Sequence, residues 1–242
     1  MKLSARGEDH SGALCGLVAS LEAHPPRDAV EAAERLGAAK LAAGDLMAWS
    51  DLEHADTDSY GRRLVHQSAR FELMVMSWRP GDYSAIHDHG AAEWGAVRYF
   101  GAADHVSFDL SAGQLAIQSR ATTRLDALLC VEPSLIHLMG NAGQTSFVSL
   151  HLYGASEAQT HAITRGARIY DLFEDRIQRT DGGVFFCLPE AQIQSRESGP
   201  KAGPETLRLH HALMRNRARA MGNARRVAAL DASLAGLDEV SA

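Results

Sequence analysis

Three histidines in the middle of the chain have the type and spacing of metal ligands. His87 and His89 are separated by one residue in AIHDHG, and His137 follows in PSLIHLMGN. In an extended segment, alternation places the first two imidazoles on one face, about 7 Å apart along the backbone. A third imidazole from a later strand can complete a facial set and leave the opposite positions open to ligands. Because imidazole binds several transition metals, we expect a metal site at these three residues.

The segments that carry these histidines must be strands. From about residue 60, short β-prone runs follow one another with turn residues between them and no predicted helix. This spacing favours an all-β sandwich or barrel over a parallel α/β sheet. ARIYDLF and GVFFCL flank RTDGG and could form one more hairpin. The earlier runs are RFELMVMSW, AVRYF, HVSFDL, QLAIQS, DALLCVE and TSFVSLHLYG.

Helices are predicted at both ends of this β-region. Residues from about 11 to 45 are rich in Ala, Leu and Glu at helical spacing, and His24-Pro25-Pro26 divides them into two helices. Residues 191–204 are polar and contain Gly and Pro, which is typical of a linker, and the last segment is helical. The predicted parts are an N-terminal helical segment (1–50), a β-barrel domain (51–190), and a linker with a C-terminal helical extension (191–242).

Composition excludes several classes of function. The chain has 242 residues and a net charge of −6, so it presents no basic field for nucleic acid or an anionic membrane. No stretch approaches the roughly 18 to 20 apolar residues of a membrane span, and MKLSARGEDHSG lacks the apolar region of a secretory signal. Three widely spaced cysteines make neither a disulfide framework nor a Cys-type zinc site. These features predict a cytoplasmic protein.

Two longer stretches resemble a known family. WRPGDYSAIHDHG with EWGAVRYFG, followed by PSLIHLMGNAGQTSFVSLHLYG, resembles the two sequence motifs of a cupin. More narrowly, it resembles the thiol dioxygenases of the cysteine dioxygenase type, in their bacterial form. The resemblance covers about residues 45–170. It implies an all-β cupin barrel (a jelly roll), with helical segments at both ends.

The resemblance also implies site residues. The family's iron-binding histidines fall on His87, His89 and His137, which makes Fe(II) the expected cofactor. The family's Ser-x-His-x-Tyr network falls on Ser149, His151 and Tyr153, which would act in catalysis. On a strand these three alternate residues share one face, so their types and spacing support a hydroxyl–imidazole–phenol chain. The alternative for Tyr153 is a core tyrosine whose hydroxyl has a structural partner.

Substrate residues are implied in SYGRRLVHQ and beside the first motif. There Tyr60 and Arg62 match a substrate-contacting tyrosine and a carboxylate-binding arginine. Arg is suited to this role because its planar fork binds a carboxylate bidentately. Relatives that oxidise 3-mercaptopropionate carry Gln at this position, so Arg62 favours an amino-acid thiol such as L-cysteine. The alternative for Arg62 is a surface arginine. Trp94 is expected in the wall that keeps bulk water from the site.

The sequence departs from the family pattern around Trp94. No cysteine lies between His89 and Cys130, so the thioether that the animal enzymes form at the tyrosine is not expected at Tyr153. Glu93 stands at the HxHx3E spacing that supplies a fourth, carboxylate ligand in many other cupins. It is either such a ligand or an outward strand residue, and we favour the outward position.

The implied function is oxidation of a small thiol with O2 to a sulfinate. Within enzymes, the alternatives are an atypical cysteine oxidation, for instance toward a sulfonamide, and a metal cupin with a carbon substrate. A different class is a cupin module that binds a ligand without catalysis. The expected partners are the thiol and O2, with no nucleic acid and no membrane. The C-terminal helices offer a surface for a homo-oligomer.

Overall fold

Helices and strands follow one another in the predicted order. The structure is a computed structural model that describes residues 11–239. Residues 1–10, which begin the predicted N-terminal segment and include most of MKLSARGEDHSG, lie outside the described residues, as do residues 240–242. The helices are α1 (Gly12–Ala23), α2 (Ala29–Ala38), α3 (Pro204–Ala220) and α4 (Ala224–Glu239), with short 3-10 helices at Ala43–Trp49 and Glu190–Gln192. The strands are β1 (Gly61–Gln67), β2 (Phe71–Trp78), β3 (Trp94–Tyr99), β4 (Asp104–Ser111), β5 (Gln114–Thr122), β6 (Leu128–Val131), β7 (Ile136–Gly140), β8 (Phe147–Gly154), β9 (Ala167–Asp171), β10 (Arg176–Thr180), β11 (Ser195–Ser198) and β12 (Lys201–Ala202).

The first two helices begin at side-chain caps. The Ser11 hydroxyl accepts a hydrogen bond from the backbone N–H of Leu14 at 3.2 Å, and Asp28 accepts one from Glu31 N–H at 2.8 Å. These caps satisfy backbone donors that the first helical turn leaves without partners. α1 ends just before the two prolines that were predicted to separate the helices, and α2 begins after them. The predicted break is therefore confirmed.

The strands form two facing sheets. One sheet has the order β1-β2-β8-β3-β6. The other contains β12-β5-β4-β7 and β11-β10-β9, and the segment around His87 joins them because it bridges to His137 in β7 and to Ile169 in β9. Strands distant in the sequence are therefore neighbours in both sheets. The all-β cupin fold with helices at both ends is confirmed.

Alternation along β8 shows how the layers are built. Leu150 and Leu152 belong to the apolar cluster that packs against α1 and α2, whereas Tyr153 belongs to the cluster between the two sheets. Both faces of the strand are covered, which explains why all eight of its residues are buried. On the outer face of the second sheet, Leu209 and Leu213 of α3 pack against a third cluster. The outward residues of β8 thus supply apolar packing, and its inward residues face the interior between the sheets, where Tyr153 lies.

Two sequence predictions about the later chain are wrong. The predicted linker contains β11, which pairs with β10, and β12, which pairs with β5. All four residues of β11 are exposed, so this edge strand has the polar composition of a loop. The predicted hairpin of ARIYDLF with GVFFCL is also not formed. The partner of β9 is β10, and residues 183–188, the GVFFCL run, form no strand. They carry apolar side chains into the interior between the sheets, which explains their strand-like composition.

The helices within residues 11–239 are all too short or too polar to cross a membrane.

Candidate metal centre and its cavity

His87, His89 and His137 meet in the interior between the sheets. His137 lies on β7, and its backbone exchanges two hydrogen bonds with His87, at 2.9 and 3.0 Å. The segment that carries His87 and His89 is extended but is not a regular strand. Alternation still holds, because the Asp88 carboxylate accepts hydrogen bonds from Arg168 instead of joining the histidines. All three imidazoles are buried, at 6%, 4% and 1% exposure.

The ring nitrogens are close enough to share one ion. One nitrogen from each histidine lies within 4.8 Å of the other two, and the Nε2 atoms of His89 and His137 are 3.2 Å apart. Two nitrogens bound at about 2.1 Å and at right angles to each other would be about 3 Å apart. The geometry of this pair therefore fits ligands in adjacent positions around a metal ion.

Protonation of the histidines supports the same conclusion. Burial lowers the pKa of His87 to about 4 and the pKa values of His89 and His137 well below 6.5. His87 Nδ1 lies 2.9 Å from the Ala85 carbonyl, which requires Nδ1–H and leaves Nε2 with its lone pair. A neutral His137 that is protonated on Nδ1 likewise turns its Nε2 lone pair toward His89. A neutral imidazole offers one nitrogen lone pair to a cation, so these three buried residues fit a bound metal ion without losing protons.

Ser149, His151 and Tyr153 form a buried hydrogen-bonded chain beside the histidines. Ser149 Oγ lies 2.8 Å from His151 Nε2, and His151 Nδ1 lies 2.9 Å from the Tyr153 hydroxyl. The Tyr153 ring is 5.2 Å from the His89 ring, centroid to centroid. Trp78 extends the chain, because its Nε1–H donates to Ser149 Oγ at 2.9 Å. Sequence reasoning missed this bond, since the pairing of β2 with β8 cannot be read from either strand alone.

The hydrogen bond from Trp78 determines which group donates and which accepts along the hydrogen-bonded chain of Ser149, His151 and Tyr153. Indole N–H can only donate, so Ser149 accepts from Trp78 and is free to donate its own hydrogen to His151 Nε2. His151 then donates from Nδ1 to the Tyr153 oxygen, and the Tyr153 hydrogen is left to point elsewhere. In the reverse order, the Ser149 hydrogen has no acceptor among the described residues. Burial lowers the pKa of His151 to about 3 and raises that of Tyr153, so both groups stay neutral.

A narrow cavity opens onto His87, His89 and Tyr153. Its lining includes Tyr60 and Arg62, the two residues that the family resemblance implies as substrate contacts. The Tyr60 ring stacks on Trp78 at 4.6 Å, and its hydroxyl accepts a hydrogen bond from the backbone N–H of Val184 at 3.2 Å. Tyr60 is thus held rigidly in the cavity wall. Residues 164, 167, 182 and 184 also line the cavity, and no local pattern indicates this because they come from distant segments.

Arg62 is half-buried in this wall with its charge uncompensated. The neighbouring Arg63 pairs with Asp51 at 3.3 Å, whereas Arg62 has no ion-pair or hydrogen-bond partner within residues 11–239. Burial is the largest cause of the lowered His151 pKa, followed by the charges of His87 and Arg62. Arg62 therefore lies within electrostatic reach of the hydrogen-bonded residues Ser149, His151 and Tyr153. An unpaired guanidinium in a partly buried cavity can bind an anionic group.

The predicted position of Trp94 in the cavity wall is wrong. Trp94 is buried on the opposite face of β3, in the cluster beneath α1 and α2. Gly95 takes the inward position, so close that a Cβ there would lie 2.7 Å from Cδ1 of Tyr153. The sequence alone does not show which residues of β3 face inward, and a shift of one residue moves a side chain to the other face. Glu93 lies outward as favoured, where its carboxylate accepts hydrogen bonds from Ser156 N–H and Oγ–H at 2.8 and 2.5 Å.

The sequence profile of cysteine dioxygenase type I matches residues 9–165. The chain belongs to the cysteine dioxygenase type I family. The match includes the three histidines and the Ser149–His151–Tyr153 chain, and the resemblance to cupin thiol dioxygenases is confirmed. Together, the family and the triad point to a metal, typically iron, and to a dioxygenase. Residues 166–242, which contain β9 to β12 and the last two helices, lie beyond the matched region.

Solved structures give likenesses to cupins at low sequence identity. A Klebsiella pneumoniae protein with a double-stranded β-helix domain is 16% identical, with 41% of this chain and 75% of that chain covered, at a TM-score of 0.34. An RmlC-like cupin from Desulfovibrio desulfuricans is 18% identical, with 43% and 92% covered, at 0.33. A cupin 2 barrel protein from Salinispora arenicola is 15% identical, with 44% and 85% covered, at 0.34. Comparison with curated proteins found no match.

Proposed function

We propose that this protein is an Fe(II)-dependent thiol dioxygenase whose substrate is a small amino-acid thiol, with L-cysteine favoured. The observation that carries the proposal is the unpaired Arg62 in the same cavity as His87, His89 and Tyr153. A carboxylate on Arg62 would orient the substrate with its thiol toward the three histidines. Among amino-acid thiols, cysteine has the shortest separation between thiol and carboxylate, which suits a narrow cavity.

The proposed reaction transfers both atoms of O2 to sulfur and gives a sulfinate. Sulfur loses four electrons and O2 gains four, so the reaction needs no further reductant. Fe(II) held by His87, His89 and His137 would supply Lewis-acid and redox chemistry, including a lowered pKa for the substrate thiol. Three neutral imidazoles leave the full double positive charge of the ion in place, which favours an anionic thiolate.

The chain's own residues orient the reactants and control protons. Arg62 would hold the carboxylate, which fixes the position of sulfur relative to the histidines. His151 donates to the Tyr153 oxygen and thereby directs the phenol hydrogen into the cavity, where it can bind a developing negative charge on oxygen. The rigid Tyr60 and the side chains of Met74 and Met76 form an apolar wall that excludes bulk water.

Oxygen uptake by the Fe(II)-loaded protein tests this proposal. The uptake is measured with L-cysteine, 3-mercaptopropionate, cysteamine and mercaptosuccinate, and products are identified by mass spectrometry. We expect the fastest uptake with L-cysteine and a product that is heavier by two oxygen atoms. A different mass change would move the chemistry toward an atypical cysteine oxidation. Absence of uptake with all four thiols, despite bound iron, would refute the proposal in favour of a carbon-substrate cupin or a binding module.

A further inference from the structure

The three candidate ligands are held by different groups behind the metal position. The Nδ1 atom of His87 faces a backbone carbonyl, whereas Nδ1 of His89 has no protein partner among the described residues. The Nδ1 atom of His137 lies 2.7 Å from Nε2 of another histidine, His105. His137 is therefore the ligand whose orientation depends on a side chain, and that side chain can be changed by mutation.

Strand pairing explains why His105 reaches His137. His105 lies on β4 opposite Met139 of the neighbouring β7, and Ser107 lies opposite His137. Residues directly opposite each other in an antiparallel pair project to the same face, so His105 and His137 are diagonal neighbours on the inner face. His105 is 8% exposed, and its ring centroid is 4.9 Å from that of His137.

We propose that His105 is a positioning residue that fixes the tautomer and ring orientation of His137 for metal binding. This inference rests on the metal site proposed above, but not on the identity of the thiol. If Nε2 of His137 binds the ion, its proton must be on Nδ1. That proton then lies between His137 and His105, and His105 must present a lone pair at Nε2. A single acceptor thus selects the tautomer of His137 that can bind the metal.

The type of acceptor also affects the charge of the site. Many metal-bound histidines donate to a carboxylate, which brings a negative charge close to the ion. Here the acceptor is a neutral imidazole, so orientation is achieved without reducing the positive charge available to a thiolate. His105 is not among the residues whose ring nitrogens converge on one point, so it acts through His137.

Two substitutions separate this role from simple packing. His105→Gln keeps an acceptor near the position of Nε2, whereas His105→Leu fills similar space without one. Ser107→Ala is the matched control, because Ser107 lies on the same strand opposite His137, but its hydroxyl bonds to Ser119 at 2.7 Å. The Fe(II) dissociation constant is measured without oxygen or substrate by competition with a chelator. The absorption bands of the Co(II)-loaded proteins report ligand geometry, and thermal unfolding of the metal-free proteins reports folding.

We expect His105→Leu to weaken Fe(II) binding about 10- to 100-fold, the usual loss when such a partner is removed. His105→Gln and Ser107→Ala should bind Fe(II) nearly as tightly as the unchanged protein. The Co(II) bands should shift in the Leu variant and stay in place in the other two. Unchanged affinity in His105→Leu would overturn the proposal. So would equal losses in the Leu and Gln variants, since packing alone would then account for both.

Discussion

At the scale of single residues, charge distinguishes the ligands that this cavity can bind. The three histidines and His151 are neutral because burial lowers their pKa values. Arg62 is the unpaired cation of the cavity wall among the described residues. A metal ion at one end and a guanidinium at the other would together favour a substrate with two negative groups, which a thiolate with a carboxylate provides.

Removal of Arg62 is expected to affect substrates with a carboxylate and to spare those without one. For Arg62→Ala, we expect the KM for L-cysteine to rise about 10- to 100-fold, since a charge-assisted bond contributes roughly 1.5–3 kcal/mol. Cysteamine lacks the carboxylate, so its slower oxidation should change little. Steady-state oxygen uptake with both thiols measures the difference.

Arg63→Ala is the matched control for this experiment. Arg63 is adjacent in the sequence, but its side chain is more than half exposed and pairs with Asp51 outside the cavity. Its removal should leave both KM values unchanged. If Arg62→Ala weakens both thiols equally, the side chain supports the structure of the cavity and does not recognise a carboxylate.

Removal of the Tyr153 hydroxyl is expected to slow the reaction while Fe(II) binding is retained. In Tyr153→Phe, His151 loses its partner at Nδ1, and the cavity loses the phenol hydrogen. We expect kcat to fall about 10²-fold, a typical loss for a positioned proton donor. Single-turnover oxidation of cysteine under excess enzyme measures the chemical step, and Fe(II) binding should be unchanged.

Tyr99→Phe provides the comparison for Tyr153. Tyr99 is also fully buried between the sheets, but its hydroxyl faces the sulfur of Met139 at 3.9 Å instead of the His151 chain. This variant should retain nearly full activity. Equal activity in the two variants would show that Tyr153 has the structural role that sequence reasoning considered as its alternative.

At the scale of elements, the close approach of β3 and β8 sets the position of Tyr153. The two strands pair along Trp94–Tyr99, with Gly95 opposite Tyr153 and Gly154 opposite Trp94. Each glycine lies against an aromatic ring on its own face of the sheet. Gly95 thus makes room for the Tyr153 ring in the interior, and Gly154 makes room for Trp94 beneath the N-terminal helices.

Alanine at these two glycines should therefore have different consequences. In Gly95→Ala, the new Cβ would lie 2.7 Å from Tyr153 Cδ1 and 2.8 Å from the Leu152 carbonyl oxygen, so we expect a clear loss of kcat together with a loss of stability. In Gly154→Ala, the Cβ would clash with the Trp94 ring, so we expect chiefly a lower unfolding temperature. Thermal unfolding and oxygen uptake are measured on both. A Gly95 variant with full kcat would contradict the assigned position of Tyr153.

Local patterns were sufficient to predict much of the site. Within two groups, neighbouring members are separated by one residue, so alternation alone brings each group to one face. The groups are the pair His87 and His89, and the set Ser149, His151 and Tyr153. His137 was predicted as a histidine on a later strand, but its pairing with the His87 segment joins residues distant in the chain and could not be read from the sequence. The helix break was likewise visible in the sequence, because proline acts locally.

Features that depend on pairing between distant segments could not be predicted. The His105–His137 bond needs the register of β4 against β7, and the Trp78–Ser149 bond needs that of β2 against β8. The error at Trp94 has the same origin, since a shift of one residue moves a side chain to the other face. β11 was read as a linker because an exposed edge strand needs no apolar side chains.

At the scale of the whole molecule, the C-terminal helices are part of the core. Met214 and Ala218 of α3 and Leu230 of α4 belong to the same apolar cluster as the lining of the metal cavity. The backbone N–H of Leu172, just after β9, donates to Nε2 of His210 in α3 at 3.3 Å. Burial lowers the pKa of His210 to about 3, and the neighbouring His211 adds to the effect.

This lowered pKa predicts that barrel and helices lose stability together in acid. Above pH 6.5 His210 is neutral in both states, but between pH 6.5 and about 3 the unfolded chain binds a proton that the folded chain does not. In metal-free protein, His210 should therefore reduce the free energy of unfolding by about 2 kcal/mol from pH 6.5 to pH 5. His210→Gln keeps an acceptor for Leu172 but removes this loss, so its urea-unfolding curves should depend less on pH. Exposed His161→Gln serves as the control. Identical pH dependence in all three proteins would mean that the contact between α3 and the barrel opens before the barrel unfolds.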